Sequence, residues 1–202
     1  MRYEYYKLHE NQIKIPIPEC YKDCWVLIKS DMFRISGKVE SSLSIIKSVI
    51  KPFNSTILFW LRLCQYRGLF WRLCWIMYMR ACKRYQVQIP ISVKIGYGFY
   101  IGHGMCMIVN WQTVIGNNVN LSQFLNIGTN RNMPAIIGDN VYIAPHVSIV
   151  EDVKVGNNST IGTGAVVTQN VPEGATVVGV PAKVINYNDP GRYVERRWKI
   201  PQ

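Results

Sequence analysis

One of the three histidines of the chain lies where the regular spacing around it breaks. His103 belongs to the segment Ile101-Gly102-His103-Gly104, and the distance from Ile101 to the next core-type aliphatic residue, Val109, is eight positions instead of six. An imidazole titrates near neutral pH, so it can take up or release a proton during catalysis. His146 lies in a turn of regular spacing and His9 in the N-terminal segment, so both are weaker candidates.

The elements that would position His103 are repeats of six residues. From residue 86 onward an aliphatic residue returns every six positions, in three phases: Ile89, Ile95 and Ile101; Val109, Ile115, Leu121 and Ile127; Ile137, Ile143, Ile149, Val155, Ile161 and Val167. Glycine or another small residue often follows, which suits a tight corner. This pattern is typical of a parallel β-helix, in which three repeats, or about 18 residues, close one triangular coil.

The phase breaks twice, and we expect both breaks to be insertions at corners. The first follows Ile101 and contains His103; the second separates Ile127 from Ile137 by ten positions, so Thr129 to Pro134 should form an outward loop. Insertions in a repeat protein collect on one functional face.

The first part of the chain has a different composition. Residues 1–85 are expected to be an N-terminal helical region, with helices from Ser41 to Ile50 and from Thr56 to Tyr85 that Gly68 could interrupt. The domain boundaries are therefore 1–85, 86–185 for the β-helix and 186–202 for a basic tail. The aromatic, arginine-rich helices either cap the open end of the β-helix or rest on an anionic membrane surface at its inner leaflet, and the two are compatible.

Composition narrows the class of protein. The chain carries 23 Lys and Arg against 12 Asp and Glu, a formal net charge of +11, which favours an anionic partner without identifying it. No nucleic-acid-binding motif accompanies this charge, so no nucleic-acid partner is expected. The six cysteines form no C-x-x-C pair and no histidine cluster adjoins them, so neither a metal site nor a disulfide framework is expected. No signal peptide is apparent, and we expect a cytoplasmic protein that contacts the membrane at most peripherally.

Residues Gln86 to Ile185 resemble the hexapeptide-repeat acyltransferase superfamily, in particular the serine acetyltransferase branch and related polysaccharide O-acetyltransferases. The segments that carry the resemblance include the I-G-H-G turn and the closing V-x-G-x-P-A-K at 177–183. The resemblance implies a mainly β fold, a left-handed parallel β-helix preceded by an α-helical region. It also implies that His103 is the general base for direct attack of a hydroxyl on a thioester.

The same resemblance implies acetyl-CoA as the acyl donor and a homotrimer, possibly paired into a dimer of trimers. The donor would lie between neighbouring β-helices, and the matching cofactor-binding positions here are Gly128, Ala144, Pro145, Gly162, Thr163 and Lys183. Small residues would let the pantetheine arm run close to the backbone, and Lys183 could meet a phosphate. Corner geometry alone would also require small residues at these turns.

Departures from the branch bear on the acceptor. Gln88 and Pro90 stand where serine acetyltransferases carry an aspartate and a histidine, and Met133 stands where they carry a histidine. Without that aspartate, Gln88 supplies no charge for a substrate ammonium, so a saccharide hydroxyl is the preferred acceptor.

Substrate-binding candidates for a saccharide are neutral or aromatic: Gln88, Asn110, Trp111 and Gln123, with Gln112 and Asn132 near them. For each one, simple solvation of a turn is an equal alternative. A serine O-acetyltransferase is the alternative function, and a non-catalytic β-helix scaffold is the second.

Overall fold

The computed structural model describes residues 1–50, 54–129, 133–150 and 152–199. The chain begins with an antiparallel hairpin of β1 (Arg2–Leu8) and β2 (Asn11–Ile17), and four helices follow: α1 (Tyr21–Ser36), α2 (Ser42–Ile50), α3 (Asn54–Cys64) and α4 (Trp71–Tyr85). A parallel β-helix of short strands occupies most of the remaining chain.

The hairpin corrects the expectation that residues 1–85 are a helical region, because helix begins only at Tyr21. In β2, Ile13 and Ile15 alternate with polar residues, which is the period of a strand. Leu8, Ile13 and Ile15 are buried and pack with Val114 of the β-helix. The hairpin therefore packs on one face of the β-helix and covers part of it.

Three parallel sheets form the walls of the β-helix. The first contains β4 (Lys94–Ile95), β7 (Val114–Ile115), β10 (Ile136–Ile137) and β13 (Lys154–Val155). The second contains β5 (Tyr100–Ile101), β8 (Asn120–Leu121), β11 (Tyr142–Ile143), β14 (Thr160–Ile161) and β16 (Thr176–Val178), followed by the antiparallel β17 (Lys183–Asn186). The third contains β3 (Val87–Gln88), β6 (Met107–Val109), β9 (Asn126–Ile127), β12 (Ser148–Ile149) and β15 (Val166–Val167).

The core of the β-helix is a stack of aliphatic side chains in register. Ile101, Leu121, Ile143 and Ile161 oppose one another along the second sheet, and all four are fully buried. Each such side chain contributes about 1.5–3 kcal/mol by leaving water. The predicted fold class, a hexapeptide β-helix preceded by helices, is confirmed in these residues.

Gly68 lies in the break between α3 and α4, as the sequence indicated. A side chain at this position would collide with the rings of Tyr66 and Tyr21. Cys64, Cys74 and Cys82 lie in these two helices as buried free thiols, and burial raises the pKa of Cys64 to about 12. No helix among the described residues is long and apolar enough to cross a membrane.

A buried ion pair joins α1 and α3 to the first coil. Asp31 accepts hydrogen bonds from Arg62 Nε at 2.7 Å and from the backbone N–H of Phe99 at 2.8 Å. Arg62 also donates to the carbonyls of Ile95, at 2.9 Å, and Gly96. Both charged side chains are fully buried, so these bonds replace the water that the two groups lost.

The predicted C-terminal tail packs back on the molecule over its described part. The backbone N–H of Trp198 donates to Asn118 Oδ1 at 2.8 Å, and the Trp198 ring lies 5.5 Å from that of Phe33 in α1. The tail thus links the turn before β8 to α1. Residues 200–202 lie outside the described residues.

Candidate functional site

The turns that lead from the second sheet to the third stack along one edge of the β-helix. This edge consists of residues 102–106, 122–124, 144–146 and 162–164, and we call it the His103 edge. Backbone hydrogen bonds hold the turns in register: Phe124 N–H donates to Met105 O at 3.2 Å, His146 N–H to Gln123 O at 3.2 Å, and Gly164 N–H to Pro145 O at 3.0 Å. A ligand lying along this edge would contact successive turns.

His103 lies in the first and longest of these turns. The Gly102 N–H donates to Leu121 O at 2.7 Å, so the turn leaves the second sheet in regular register and the extra residues follow at once. His103 has a left-handed backbone with φ 49° and is exposed. Within the described part of the chain its ring has no hydrogen-bond partner. The imidazole is therefore presented to the outside of the edge, where a substrate could reach it.

The second and third turns of the His103 edge carry an aromatic pair. The rings of Phe124 and His146 stack with centroids 4.6 Å apart and planes at 13°. Both residues have a left-handed backbone, at φ 58° and 60°. Sequence reasoning did not single out Phe124, although aligning the turns in the six-residue register would have placed it beside His146.

Gln123, predicted to bind substrate, lies on the same edge directly after the His103 turn. Its Oε1 is buried and has no hydrogen-bond partner among the described residues. An unpaired buried acceptor is costly unless a ligand or another chain satisfies it. Gln123 is thus a candidate acceptor for a donor group on a bound substrate.

Four of the predicted cofactor-binding residues lie farther along the His103 edge. Ala144 and Pro145 form one turn, and Gly162 and Thr163 form the next. Gly164 follows with φ 71°, and a side chain there would have no atom within 4 Å, so the edge is open at this point. At about 4.8 Å per coil, the Thr163 turn lies about 14 Å from the His103 turn. This length of open edge fits an extended donor arm.

Lys183, the last predicted cofactor residue, lies at the end of this edge. It is the first residue of β17, where it is exposed and opposes Val178 of β16. The segment before it continues the line of turns, because Val166 N–H donates to Gly179 O at 3.0 Å and Ala182 N–H donates to Val166 O at 2.8 Å. An anionic group at the far end of a bound donor would meet this ammonium.

The structure places the remaining predicted residues elsewhere. Asn110, Trp111 and Gly128 lie at the turns from the third sheet to the first, so the third sheet separates them from the His103 edge. Asn110 Oδ1 accepts a hydrogen bond from Gln112 N–H at 2.9 Å, which stabilises its own turn. Trp111 is 55% exposed. These residues therefore lie one sheet width away from His103.

Gln88 lies between the two edges, on the outer face of the third sheet. It is exposed in β3 and opposes Ile108 of β6. Met133 is exposed at the end of the second insertion, and Asn132 lies outside the described residues. No group of three or more His, Cys, Asp or Glu side chains that could hold a metal ion occurs in the ranges that the structure describes.

Comparison with known proteins identifies the repeats. The family described as Bacterial transferase hexapeptide (six repeats) matches residues 134–169. The chain is 35% identical over 104 residues to a serine acetyltransferase of Staphylococcus aureus, which covers 49% of the chain and 48% of that protein. It is 34% identical over 115 residues to the serine acetyltransferase of Bacillus licheniformis, covering 54% of the chain and 52% of the relative. The chain thus spans about half the length of the curated relatives it matches.

The likeness extends to a solved structure that includes the helices. A crystal structure of the Neisseria gonorrhoeae serine acetyltransferase in complex with serine matches 80% of the chain and 69% of that protein, with a TM-score of 0.61 and 25% identity. Residues 134–169 match the bacterial transferase hexapeptide family, and the chain is similar to acyltransferases of this kind. Among these, the serine acetyltransferase branch is the one it resembles.

These relatives contradict the predicted saccharide acceptor. The proteins named above are serine acetyltransferases, so the findings support the alternative function and not polysaccharide modification. The prediction was wrong because it rested on what Gln88, Pro90 and Met133 lack. The loss of one charged group removes one way of binding an acceptor, but it does not specify another acceptor.

Proposed function

We propose that the protein is an acetyl-CoA-dependent O-acetyltransferase whose acceptor is L-serine. The observation that carries the proposal is the His103 edge, where an exposed imidazole and a line of small-residue turns share one side of the β-helix. The names of the relatives support both the class of reaction and the acceptor.

His103 acts as the general base in the proposed reaction. The neutral imidazole takes the proton of the serine hydroxyl as the oxygen attacks the carbonyl carbon of the acetyl thioester. The tetrahedral intermediate then collapses with cleavage of the C–S bond, and the imidazolium returns the proton to the leaving CoA thiolate. The products are O-acetylserine and CoA, and His103 ends as it began.

The residues on the edge divide the binding of the two substrates. The turns at Ala144–Pro145 and Gly162–Thr163 let the donor run close to the backbone, and Lys183 meets its anionic end. Gln123 Oε1, which has no partner among the described residues, accepts a hydrogen bond from the serine ammonium. A neutral amide oxygen takes the place that a carboxylate would otherwise fill.

The identity of the product tests this proposal. The purified protein is incubated with acetyl-CoA and L-serine, and O-acetylserine and free CoA are measured by mass spectrometry. L-Alanine, which lacks the hydroxyl, serves as the matched control acceptor. We expect O-acetylserine and CoA in equal amounts with serine, and no acetylated product with alanine.

Two results would contradict the proposal. Binding of acetyl-CoA without turnover of serine, combined with turnover of another hydroxyl compound, would reject serine as the acceptor. Absence of acetyl-CoA binding would reject the enzyme itself and favour a β-helix scaffold.

A further inference from the structure

The outer side of α4 and the turn before it expose large apolar side chains to solvent. Leu69 is 89% exposed, Phe70 60%, Leu73 58%, Ile76 49% and Trp75 42%. Arginines and a lysine alternate with them. We call this surface the α4 face, and it consists of Arg67, Leu69, Phe70, Arg72, Leu73, Trp75, Ile76, Arg80, Lys83 and Arg84.

The core of this chain does not require the apolar residues of the α4 face. The inward side of α4 is already formed by four buried residues, Cys74, Tyr78, Ala81 and Cys82. Ile76 and Leu73 project from the opposite side, where the helical period places them with Arg72 and Arg80. A soluble surface rarely collects so many large exposed apolar side chains unless it binds something.

The charge on the α4 face has no counterpart in the surrounding sequence. No Asp or Glu occurs between Glu40 and Asp139, so α2, α3 and α4 contain no carboxylate. The described carboxylates that form ion pairs do so elsewhere, for example Asp31 with the buried Arg62. None of the ion pairs among the described residues involves a cation of the α4 face, so these cations are available to an anionic partner.

A cavity at one end of the α4 face combines positive charge with an apolar lining. Its volume is about 360 Å³, and Arg80 and Arg84, one helical turn apart, line it together with Val49, Trp60 and Met77. Guanidinium groups over an apolar wall suit a ligand that has a phosphate at one end and hydrocarbon at the other.

We propose that the α4 face binds the surface of an anionic phospholipid bilayer. The apolar side chains enter the boundary between headgroups and acyl chains, and the arginines meet lipid phosphates. A two-fold contact with a second copy fits less well, because it would bring the same arginines of both copies together. A nucleic acid would satisfy the arginines but not the exposed Leu69, Leu73 and Ile76.

Vesicle binding tests the proposal and does not depend on acetyl transfer. The purified full chain is sedimented with vesicles of phosphatidylcholine alone and with vesicles that also contain phosphatidylglycerol. We compare Arg72→Glu/Ile76→Ser on the α4 face with Lys7→Glu/Tyr5→Ser, which changes one exposed cation and one exposed apolar residue on the hairpin. Circular dichroism checks that each variant is folded.

We expect binding to the anionic vesicles only, weakened by salt. Each cation near such a surface changes the partition coefficient about fivefold. The α4 variant should therefore bind at least about tenfold more weakly, while the hairpin variant binds like the unmodified chain.

Absence of binding to anionic vesicles would overturn the proposal, as would equal binding by the α4 variant. Sedimentation velocity tests the remaining alternative, which is self-association through the α4 face. If the α4 variant changes the oligomeric state and no vesicle binding is seen, the face is an interface between copies, and the lipid proposal fails while the proposed function stands.

Discussion

At the scale of single residues, the backbone of each turn decides which side chains reach the candidate site. The lengthened spacing after Ile101 located His103 from sequence, because an insertion in a repeat must leave the core. The pairing of Phe124 with His146 and the use of Asn110 in its own turn were not predictable in this way. They depend on backbone angles at the corners, which a six-residue period does not specify.

The open part of the His103 edge makes a prediction about donor binding. Thr163→Trp would fill the edge at an exposed turn with little effect on the core, so the KM for acetyl-CoA should rise about tenfold, the effect expected when one close contact is lost. Steady-state kinetics with varied acetyl-CoA measure this effect, and direct titration with CoA checks it independently of turnover.

Thr168→Trp is the matched control, because Thr168 is exposed at the turn that follows β15, on the edge that leads from the third sheet to the first. An unchanged KM in Thr163→Trp, or an equal rise in both variants, would contradict the placement of the donor on the His103 edge.

At the scale of elements, the buried pair Asp31–Arg62 fixes the helices on the β-helix. Sequence reasoning identified the helices and the repeats because each has its own period. It missed the pair, which joins residues 31 positions apart, and it missed the hairpin, whose short alternating pattern was outweighed by the helical composition that follows it. Contacts of this kind follow from tertiary packing and not from local pattern.

Removal of Arg62 should destabilise the protein strongly. In Arg62→Leu the Asp31 carboxylate loses its buried counter-ion, and the free energy of unfolding should fall by about 3–5 kcal/mol. Urea titration followed by circular dichroism measures the change. Arg67→Leu, at the exposed turn between α3 and α4, should stay within about 0.5 kcal/mol, and equal losses in the two variants would contradict the role of the pair.

A ladder of side-chain amides on another corner contains one carboxylate. Asp139 Oδ1 accepts from the Asn117 N–H at 2.7 Å, and Asn157 Oδ1 accepts from the Asp139 N–H at 2.8 Å. Burial raises the pKa of Asp139 above its usual value of 3.8, against the opposing effect of its hydrogen bonds. The folded state therefore disfavours the charged form of Asp139.

Asp139→Asn should accordingly stabilise the protein at neutral pH, by up to about 1 kcal/mol. Because the raised pKa belongs to the folded state, the unmodified protein is penalised as the pH rises through that pKa, and the advantage of the variant should shrink as the pH falls toward 4. Urea titrations across this range measure the difference. An advantage that stays constant with pH would contradict this origin, and Asp152→Asn, at an exposed turn, controls for the change in net charge.

At the scale of the whole molecule, the fold and the resemblance to hexapeptide acyltransferases followed from the sequence, but the acceptor did not. The six-residue spacing recurs many times along the chain, so it predicts the fold reliably. The choice of acceptor depends on a few side chains whose partners lie in other turns or in other chains. The saccharide acceptor was inferred from Gln88 and Met133 without knowledge of their partners, and the serine acetyltransferase relatives contradict that inference.

Assembly into a homotrimer stays a prediction from the family resemblance. Sedimentation equilibrium should give about three times the 23.2 kDa mass of one chain, or twice that again if trimers pair. A monomer at micromolar concentration would contradict a donor site shared between neighbouring β-helices.

The central claim is that His103 is the base that activates a serine hydroxyl. We would measure kcat/KM for L-serine, at saturating acetyl-CoA, in the unmodified protein, in His103→Ala and in His9→Ala, whose ring lies on the hairpin near Val171. Loss of a general base should lower the rate about 10²- to 10⁴-fold in His103→Ala. Binding of acetyl-CoA should persist there, and His9→Ala should remain active. Retained serine acetylation in a folded His103→Ala variant would contradict the account.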